Sequence, residues 1–94
     1  MKAQFLFVEY DQEHNIVFIE DIANLTGGTT ITNDAEEVVN YFRYAYGDRV
    51  RVVYLDTDRQ WWEIEWYMHD PNRISVGFRQ WHGLVWDKLT KAEE

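Results

Sequence analysis

The 94-residue sequence contains no cysteine and only one proline, and it has no long apolar run. Without cysteine the chain has no disulfide, no thiolate nucleophile and no cysteine-ligated zinc. The first apolar run, residues 5–8, is too short for a secretory signal or a membrane span. We therefore expect a single domain, residues 1–94, in the reducing environment of the cytoplasm.

Positive charge is also scarce, because 9 Lys and Arg residues stand against 17 Asp and Glu residues, which gives a net charge of −8. Contacts with phosphate need clustered cations, so direct binding of nucleic acid is not expected. An acidic chain is steered instead towards a basic surface of another protein. The same charge also keeps a small domain soluble without any partner.

The residue patterns of common catalytic and metal sites are missing, so neither an enzyme nor a cofactor is expected. The histidines lie in or beside predicted turns and form no His-x-x-x-His pair: His14, His69 and His82. Asp56-x-Asp58 resembles the start of a calcium loop. Trp61 and Tyr67, however, occupy the positions where that loop needs a glycine and a bidentate acid. We interpret both aspartates as turn formers.

Aromatic residues are abundant, at 17% of the chain, and residues 60–68 are the stretch around which the fold is organised. The even positions are all large and apolar: Trp62, Ile64, Trp66 and Met68. The odd positions place two carboxylates between two aromatic residues: Trp61, Glu63, Glu65 and Tyr67. A period of two predicts a strand with one buried face.

The neighbouring segments, residues 49–55 and 74–81, predict two hairpins with this strand. One register pairs apolar with apolar residues, sets Glu63 opposite Arg79 and sets Arg51 opposite Glu65. The predicted core face of this meander is Val50, Val52, Tyr54, Trp62, Ile64, Trp66, Val76 and Phe78.

Upstream, residues 5–10 and 15–22 predict a further β-hairpin, in which Tyr10 pairs with Ile16 and Phe7 with Ile19.

The helix that follows is predicted to open on a capping box of Asn33 and Glu36 and to end at Gly47. Its apolar stripe is Ala35, Val38, Val39, Phe42, Ala45 and Tyr46. The predicted fold is α+β: an antiparallel sheet of about five strands in the order β-β-α-β-β-β, with one main helix packed on one face. Residues 82–91 are predicted to form a short helix or a final strand, and their pattern does not choose between the two.

The sheet face away from the helix is the predicted partner-binding surface. It combines aromatic with acidic residues: Trp61, Glu63, Glu65, Tyr67 and Trp81, with Asp56 and Asp58 in the adjoining loop. Exposed aromatic residues edged by acids are typical of an interface hot spot. In the alternative interpretation, Leu84 and Trp86 of the tail cover this face as a second small core.

The predicted function is that of a small acidic, non-enzymatic protein-binding module. It would occupy a basic, nucleic-acid-binding surface of a host protein, like an inhibitor encoded by a phage or a mobile element. One alternative is a domain that binds a small ligand or single-stranded nucleic acid by aromatic stacking. Another is a homodimer formed through the same face.

Overall fold

The computed structural model describes residues 3–83, which form one five-stranded sheet with a long helix on one face. The strands are β1 (Phe5–Asp11), β2 (Ile16–Asp21), β3 (Arg51–Leu55), β4 (Trp61–Asp70) and β5 (Arg73–Gln80). The helices are α1 (Ala23–Thr26) and α2 (Ala35–Tyr46), with a 3-10 turn at Ile31–Asp34 between them. The predicted α+β class is confirmed. The element order differs from the prediction because α1 and the 3-10 turn stand where only a loop was expected. Residues 82–91 were predicted to form a short helix or a strand, and all of this segment after residue 83 lies outside the described residues.

The sheet is mixed, with strand order β1-β2-β3-β4-β5, because β2 and β3 run parallel. Parallel neighbours cannot be joined by a tight turn, and here the connection crosses over through α2. The prediction of a wholly antiparallel sheet is therefore wrong at this pair. β2 is paired on both sides and buried at each of its first four positions, so its sequence lacks the period of two that marks a half-exposed strand.

The meander β3–β4–β5 has the predicted register. Tyr54 pairs with Trp62, and Glu63 pairs with Arg79. The ladder between β4 and β5 continues further than predicted, as far as Asp70, after an irregularity in the pairing.

A bulge changes the register of the first hairpin. Phe7 pairs with Ile19 as predicted, but the register then shifts by one residue, so that Tyr10 pairs with Val17 and not with Ile16. A bulge places two residues of one strand opposite one residue of its neighbour, and no turn signal in the sequence reveals it.

The main core lies between α2 and the sheet. Its buried members include Val17, Ile19, Val38, Val39, Phe42, Val50, Val52, Tyr54 and Ile64. Trp62, Trp66 and Val76 pack against it and are partly buried, as the predicted core face requires. Phe78 is 41% exposed, contrary to prediction, because it lies on the edge strand β5 and lines a surface pocket. Ala45 is also exposed, since it borders a shallow groove between α2 and β1.

The start of α2 differs from the predicted capping box. The residue before the helix is Asp34, and its side chain makes no capping hydrogen bond. Asn33 lies within the 3-10 turn, where its N–H donates to the carbonyl of Thr30 at 3.1 Å. Because this backbone is already wound, Asn33 lacks the extended conformation that a cap requires. The predicted end is confirmed: the N–H of Gly47 donates to the carbonyl of Arg43 at 2.8 Å.

Replacement of Gly47 by alanine is expected to lower the free energy of unfolding by about 1–3 kcal/mol, because its φ of +97° and ψ of 173° lie in a region that almost only glycine occupies. Gly77→Ala is the matched control, since Gly77 has no positive φ and an added Cβ there meets no atom within 4 Å. Its effect should stay within about 0.5 kcal/mol. Urea unfolding followed by tryptophan fluorescence measures both variants, and equal losses would contradict the argument.

Candidate functional site

The predicted partner-binding residues of β4 share one sheet face with Trp81, and part of that face is buried. Trp61 and Trp81 are half-buried against Phe18 and Val53, in a small second cluster on the sheet face opposite α2. The ring of Trp61 meets that of Phe18 edge-on, with centroids 5.9 Å apart. This part of the expected second core therefore forms among residues 3–83. The contribution predicted for Leu84 and Trp86 lies outside the described residues.

Glu63 is the buried centre of an ion-pair cluster on the same face, at 6% exposure. Its Oε2 accepts a hydrogen bond from Arg51 Nε at 2.8 Å, and its Oε1 accepts from Arg51 Nη2 at 3.0 Å and from Arg79 Nη2. Burial raises the pKa of this carboxyl, but the hydrogen bonds from the two arginines outweigh burial and leave the pKa below its usual value. Arg51 thus reaches Glu63 and not the predicted Glu65, whose partner is Arg79 at 3.1 Å.

The charge of this face is consequently close to balanced. Arg51 and Arg79 are half-exposed and lie over the buried Glu63, while the guanidinium of Arg51 sits 4.8 Å from the ring centre of Trp81. A basic partner that approached this face would meet two cations. The two arginines therefore offset the charges of Glu63 and Glu65.

Of the other predicted site residues, Tyr67 lies on this same face, because it continues the alternation of Glu63 and Glu65 along β4. Tyr67 is exposed towards the far end of β4. Asp56 and Asp58 lie in the turn between β3 and β4. Asp56 is the predicted turn former, because its Oδ1 accepts from the N–H groups of Asp58 at 2.9 Å and Gln60 at 2.8 Å.

A pocket of about 340 Å³ opens where β2 and β3 end. We call it the carboxyl-end pocket; its lining residues are Asp21, Thr30, Thr32, Tyr54, Asp56, Thr57, Trp62 and Phe78. Asp21 is the last residue of β2, and Asp56 follows the last residue of β3. Because parallel strands end at the same edge of a sheet, their next side chains meet there, and open α/β sheets bind ligands at this edge.

The two carboxylates of the carboxyl-end pocket are held by N–H donors. Asp21 is buried, and its two oxygens accept from the N–H groups of Ala23 at 3.0 Å and Ile31 at 3.2 Å. It thereby fixes the chain between β2 and α2. Asp56 Oδ2 accepts from the indole Nε1 of Trp62 at 2.8 Å, which sets the orientation of that ring.

Three aromatic rings form the apolar part of the pocket lining. Tyr54 and Phe78 stand at 88° to each other, with ring centroids 6.4 Å apart, and Trp62 is paired with Tyr54 across the strands. Burial, with added effects from the charges of Asp56 and Asp21, raises the pKa of Tyr54 to about 12. The phenol is therefore neutral at physiological pH. Within the described part of the chain, its hydroxyl has no hydrogen-bond partner.

The chemistry of this lining favours a cation. Among residues 3–83, no lysine, arginine or histidine contributes to the pocket wall. Ring faces and carboxylates both attract positive charge, whereas two carboxylates at one mouth repel a phosphate.

Of the residues that line this pocket, the sequence predicts only Asp56 as a partner-binding residue. It predicts Tyr54, Trp62 and Phe78 as members of the core. The signal in the sequence is two apolar strands, one ending in an aspartate and the other followed by one, with the long helix between them, which is the pattern of a parallel crossover.

One group of side chains in the described residues brings potential metal ligands together: Asp11, Glu13 and His14, with ligand atoms within 4.8 Å of one another. His14 Nδ1 lies 2.7 Å from Asp11 Oδ2. This hydrogen bond lowers the pKa of Asp11 and raises that of His14. The group is thus accounted for as an exposed ion pair that closes the first hairpin.

No protein-family model, curated protein or solved structure matches this chain. Across residues 3–83, none of the helices has the length and apolar character required to cross a bilayer.

Proposed function

We propose that this chain is a small, non-enzymatic protein-binding module that captures a basic partner by receiving one of its cationic side chains in the carboxyl-end pocket. The composition of the pocket lining carries the proposal. Two carboxylates and three aromatic rings converge there, and no basic residue of the described chain lines it. Both kinds of group bind cations, and neither kind favours an anion.

The distribution of charge over residues 3–83 supports a basic partner. Residues 3–83 contain arginines and no lysine, and all of these arginines except Arg49 form ion pairs with carboxylates of the same chain. These pairs are Arg43–Asp48, Arg51–Glu63, Arg59–Glu20, Arg73–Asp70, and Arg79 with both Glu63 and Glu65. The surplus carboxylates then set the sign of the outer field, which steers a basic surface towards the protein.

The proposal keeps the basic partner expected from the sequence and moves the contact to another place. Arg51 and Arg79 cover the acidic centre of the face opposite α2. The carboxyl-end pocket has no such cover among residues 3–83, and the exposed Asp58 lies close to it along the chain. A suitable partner is a cytoplasmic protein with a nucleic-acid-binding groove, because such grooves present arginine and lysine side chains.

Single-stranded nucleic acid is not the proposed ligand. The stacking platform predicted for it consists of Trp61, Trp81 and Tyr67, of which Trp61 and Trp81 pack in the cluster around Phe18 while Tyr67 is exposed. The pocket that remains available carries the two carboxylates of Asp21 and Asp56.

Replacement of Phe78 by alanine is expected to weaken the binding of an arginine- and lysine-rich peptide by about 5- to 30-fold, which corresponds to the ~1–2 kcal/mol of a partly desolvated cation–π wall. Phe78 is suitable because it lines the pocket yet is exposed, so its loss leaves the main core intact. Isothermal titration calorimetry measures the affinity at low and moderate salt. The affinity of the unaltered chain should fall as salt rises.

Met68→Ala is the matched control, because Met68 is similarly exposed on β4 but does not line the pocket. It should leave the peptide affinity unchanged. Circular dichroism confirms that both variants are folded. Equal weakening by the two substitutions, or no binding of the basic peptide at any salt concentration, would overturn the proposal.

A further inference from the structure

We propose that the cation best suited to the carboxyl-end pocket is an alkylated ammonium, such as the trimethylammonium of a methylated lysine or of a choline-like molecule. This inference rests on the proposed function in placing a cation in the pocket. It goes beyond that function by naming the chemistry of the cation. Two sources share this chemistry, a modified side chain of a protein and a free quaternary amine.

Five N–H groups already occupy more than half of the roughly eight lone-pair sites of the two carboxylates. Each oxygen of Asp21 accepts a backbone N–H, Oδ1 of Asp56 accepts two, and Oδ2 of Asp56 accepts the indole N–H of Trp62. An unmodified lysine ammonium brings three N–H donors, and an arginine guanidinium brings five. A donor that loses water without finding an acceptor weakens binding by about 5- to 150-fold.

A quaternary ammonium avoids this cost because it has no N–H donor to satisfy, and a tertiary ammonium has only one. Asp21 and Asp56 then act through their charge and not through new hydrogen bonds. A trimethylammonium group is also weakly hydrated, since its charge is spread over methyl groups that contact apolar surface. The pocket therefore discriminates between cations by the number of donors that each must bury.

The arrangement of the aromatic rings also suits an alkylated ammonium. Tyr54 and Phe78 meet at nearly a right angle, and Trp62 adds a third ring whose orientation Asp56 fixes. Aromatic walls of this kind are how quaternary ammonium groups are recognised. The Tyr54 hydroxyl, unpartnered within residues 3–83, supplies an oxygen that polarised N-methyl groups can contact.

The size of the pocket fits a ligand of this kind. A volume of about 340 Å³ lies at the lower end of the range for small-ligand sites, roughly 300–1,000 Å³. This space holds one head group or the end of one side chain.

The first test titrates the full chain with tetramethylammonium, with choline, and with 3,3-dimethylbutan-1-ol, which has the shape of choline without its charge. Protein NMR follows the indole N–H of Trp62, which lies in the pocket. Both cations should shift this signal, and the neutral alcohol should bind about 5- to 30-fold more weakly than choline. Equal binding of choline and the alcohol, or no shift with either cation, would overturn the inference.

The second test compares three versions of one basic peptide, in which the central residue is lysine, trimethyl-lysine or arginine. The trimethyl-lysine peptide should bind about 5- to 30-fold more tightly than either other form, and Phe78→Ala should abolish this preference while Met68→Ala retains it. Equal affinity for the three peptides would overturn this inference and leave the proposed function in place. Binding of choline without binding of any peptide would overturn the proposed function and leave the alkylammonium site.

Discussion

Replacement of both Arg51 and Arg79 by methionine is expected to lower the free energy of unfolding by about 3–5 kcal/mol at neutral pH. The two guanidinium groups supply the hydrogen bonds that hold the buried carboxylate of Glu63. Methionine keeps much of the apolar stem of arginine, so the substitution removes the cations more than the packing. Urea unfolding followed by tryptophan fluorescence measures the loss.

In the same double variant, the contribution of Glu63 to the pH dependence of stability should reverse its sign. In the unaltered chain the pKa of Glu63 is lowered below 4.5, so its contribution is present above that pH and is lost as pH falls through the folded-state pKa. Without the arginines, burial acts alone and raises the pKa. The folded double variant is then favoured below pH 4.5 and loses stability as pH rises through the raised value. The stability gap between the two chains should therefore narrow on acidification.

Two control variants isolate the cause. Glu63→Gln, added to the double variant, removes the uncompensated charge and should recover most of the loss. Arg73→Met breaks only the exposed Arg73–Asp70 pair, at 3.9 Å, and should cost at most about 1 kcal/mol. If the double variant loses no more than Arg73→Met, Glu63 does not depend on the two arginines.

The meander around Glu63 could be predicted from the sequence because its constraints are local. Hairpins join strands that are neighbours in the chain, and one register pairs Glu63 with Arg79 and Tyr54 with Trp62. A slip by one residue would turn every side chain to the other face. The burial of Glu63 was not visible in the pattern. It depends on arginine side chains from both neighbouring strands, and alternation gives the face of a residue but not the depth of its cover.

The parallel pairing of β2 with β3 was missed for a different reason. β2 is buried on both faces, so its apolar run carries no period that could set direction or register. Its partner lies beyond the whole of α2 in the chain, and no turn chemistry connects the two. With the sheet taken as antiparallel, Asp21 and Asp56 had no reason to meet at one edge.

The pocket was missed together with that pairing. Tyr54 and Trp62 belong to the core by their alternation, and this interpretation is correct, since both pack in the main cluster. They also line the carboxyl-end pocket, because the core reaches the sheet edge at the ends of the parallel strands. Hydrophobic periodicity cannot separate these two roles. Only the position of a residue relative to the sheet edge does so.

The start of α2 shows a limit of the same kind. Asn33 and Glu36 stand at capping-box spacing, but the side chain of Asp21 accepts the N–H of Ile31 and anchors the chain just ahead of them. The 3-10 turn that follows leaves Asp34 at the cap position. The hydrogen bond from Ile31 to Asp21, ten residues earlier in the chain, therefore influences where the helix begins more than the local capping-box pattern does.

Replacement of Phe42 by alanine is expected to lower the free energy of unfolding by about 3–5 kcal/mol. Phe42 is 1% exposed, and its ring lies 5.8 Å from that of Phe5, 6.0 Å from that of Phe7 and 6.4 Å from that of Tyr46. The side chain therefore joins α2 to the edge strand β1. Alanine would leave a cavity, because rings held on two separate elements cannot close fully around it.

Tyr44→Ala is the matched control on the same helix, since Tyr44 is 95% exposed, and it should change stability by less than about 0.5 kcal/mol. Phe42→Leu should fall between the two, because it retains most of the apolar volume. Phe42 does not line the carboxyl-end pocket, so folded Phe42→Leu protein should bind the basic peptide with unchanged affinity. Similar losses from Phe42→Ala and Tyr44→Ala would show that α2 does not cover the sheet through Phe42. α2 would then pack in another position. The carboxyl-end pocket would also have another shape, because Thr30 and Thr32 of the segment before α2 line it.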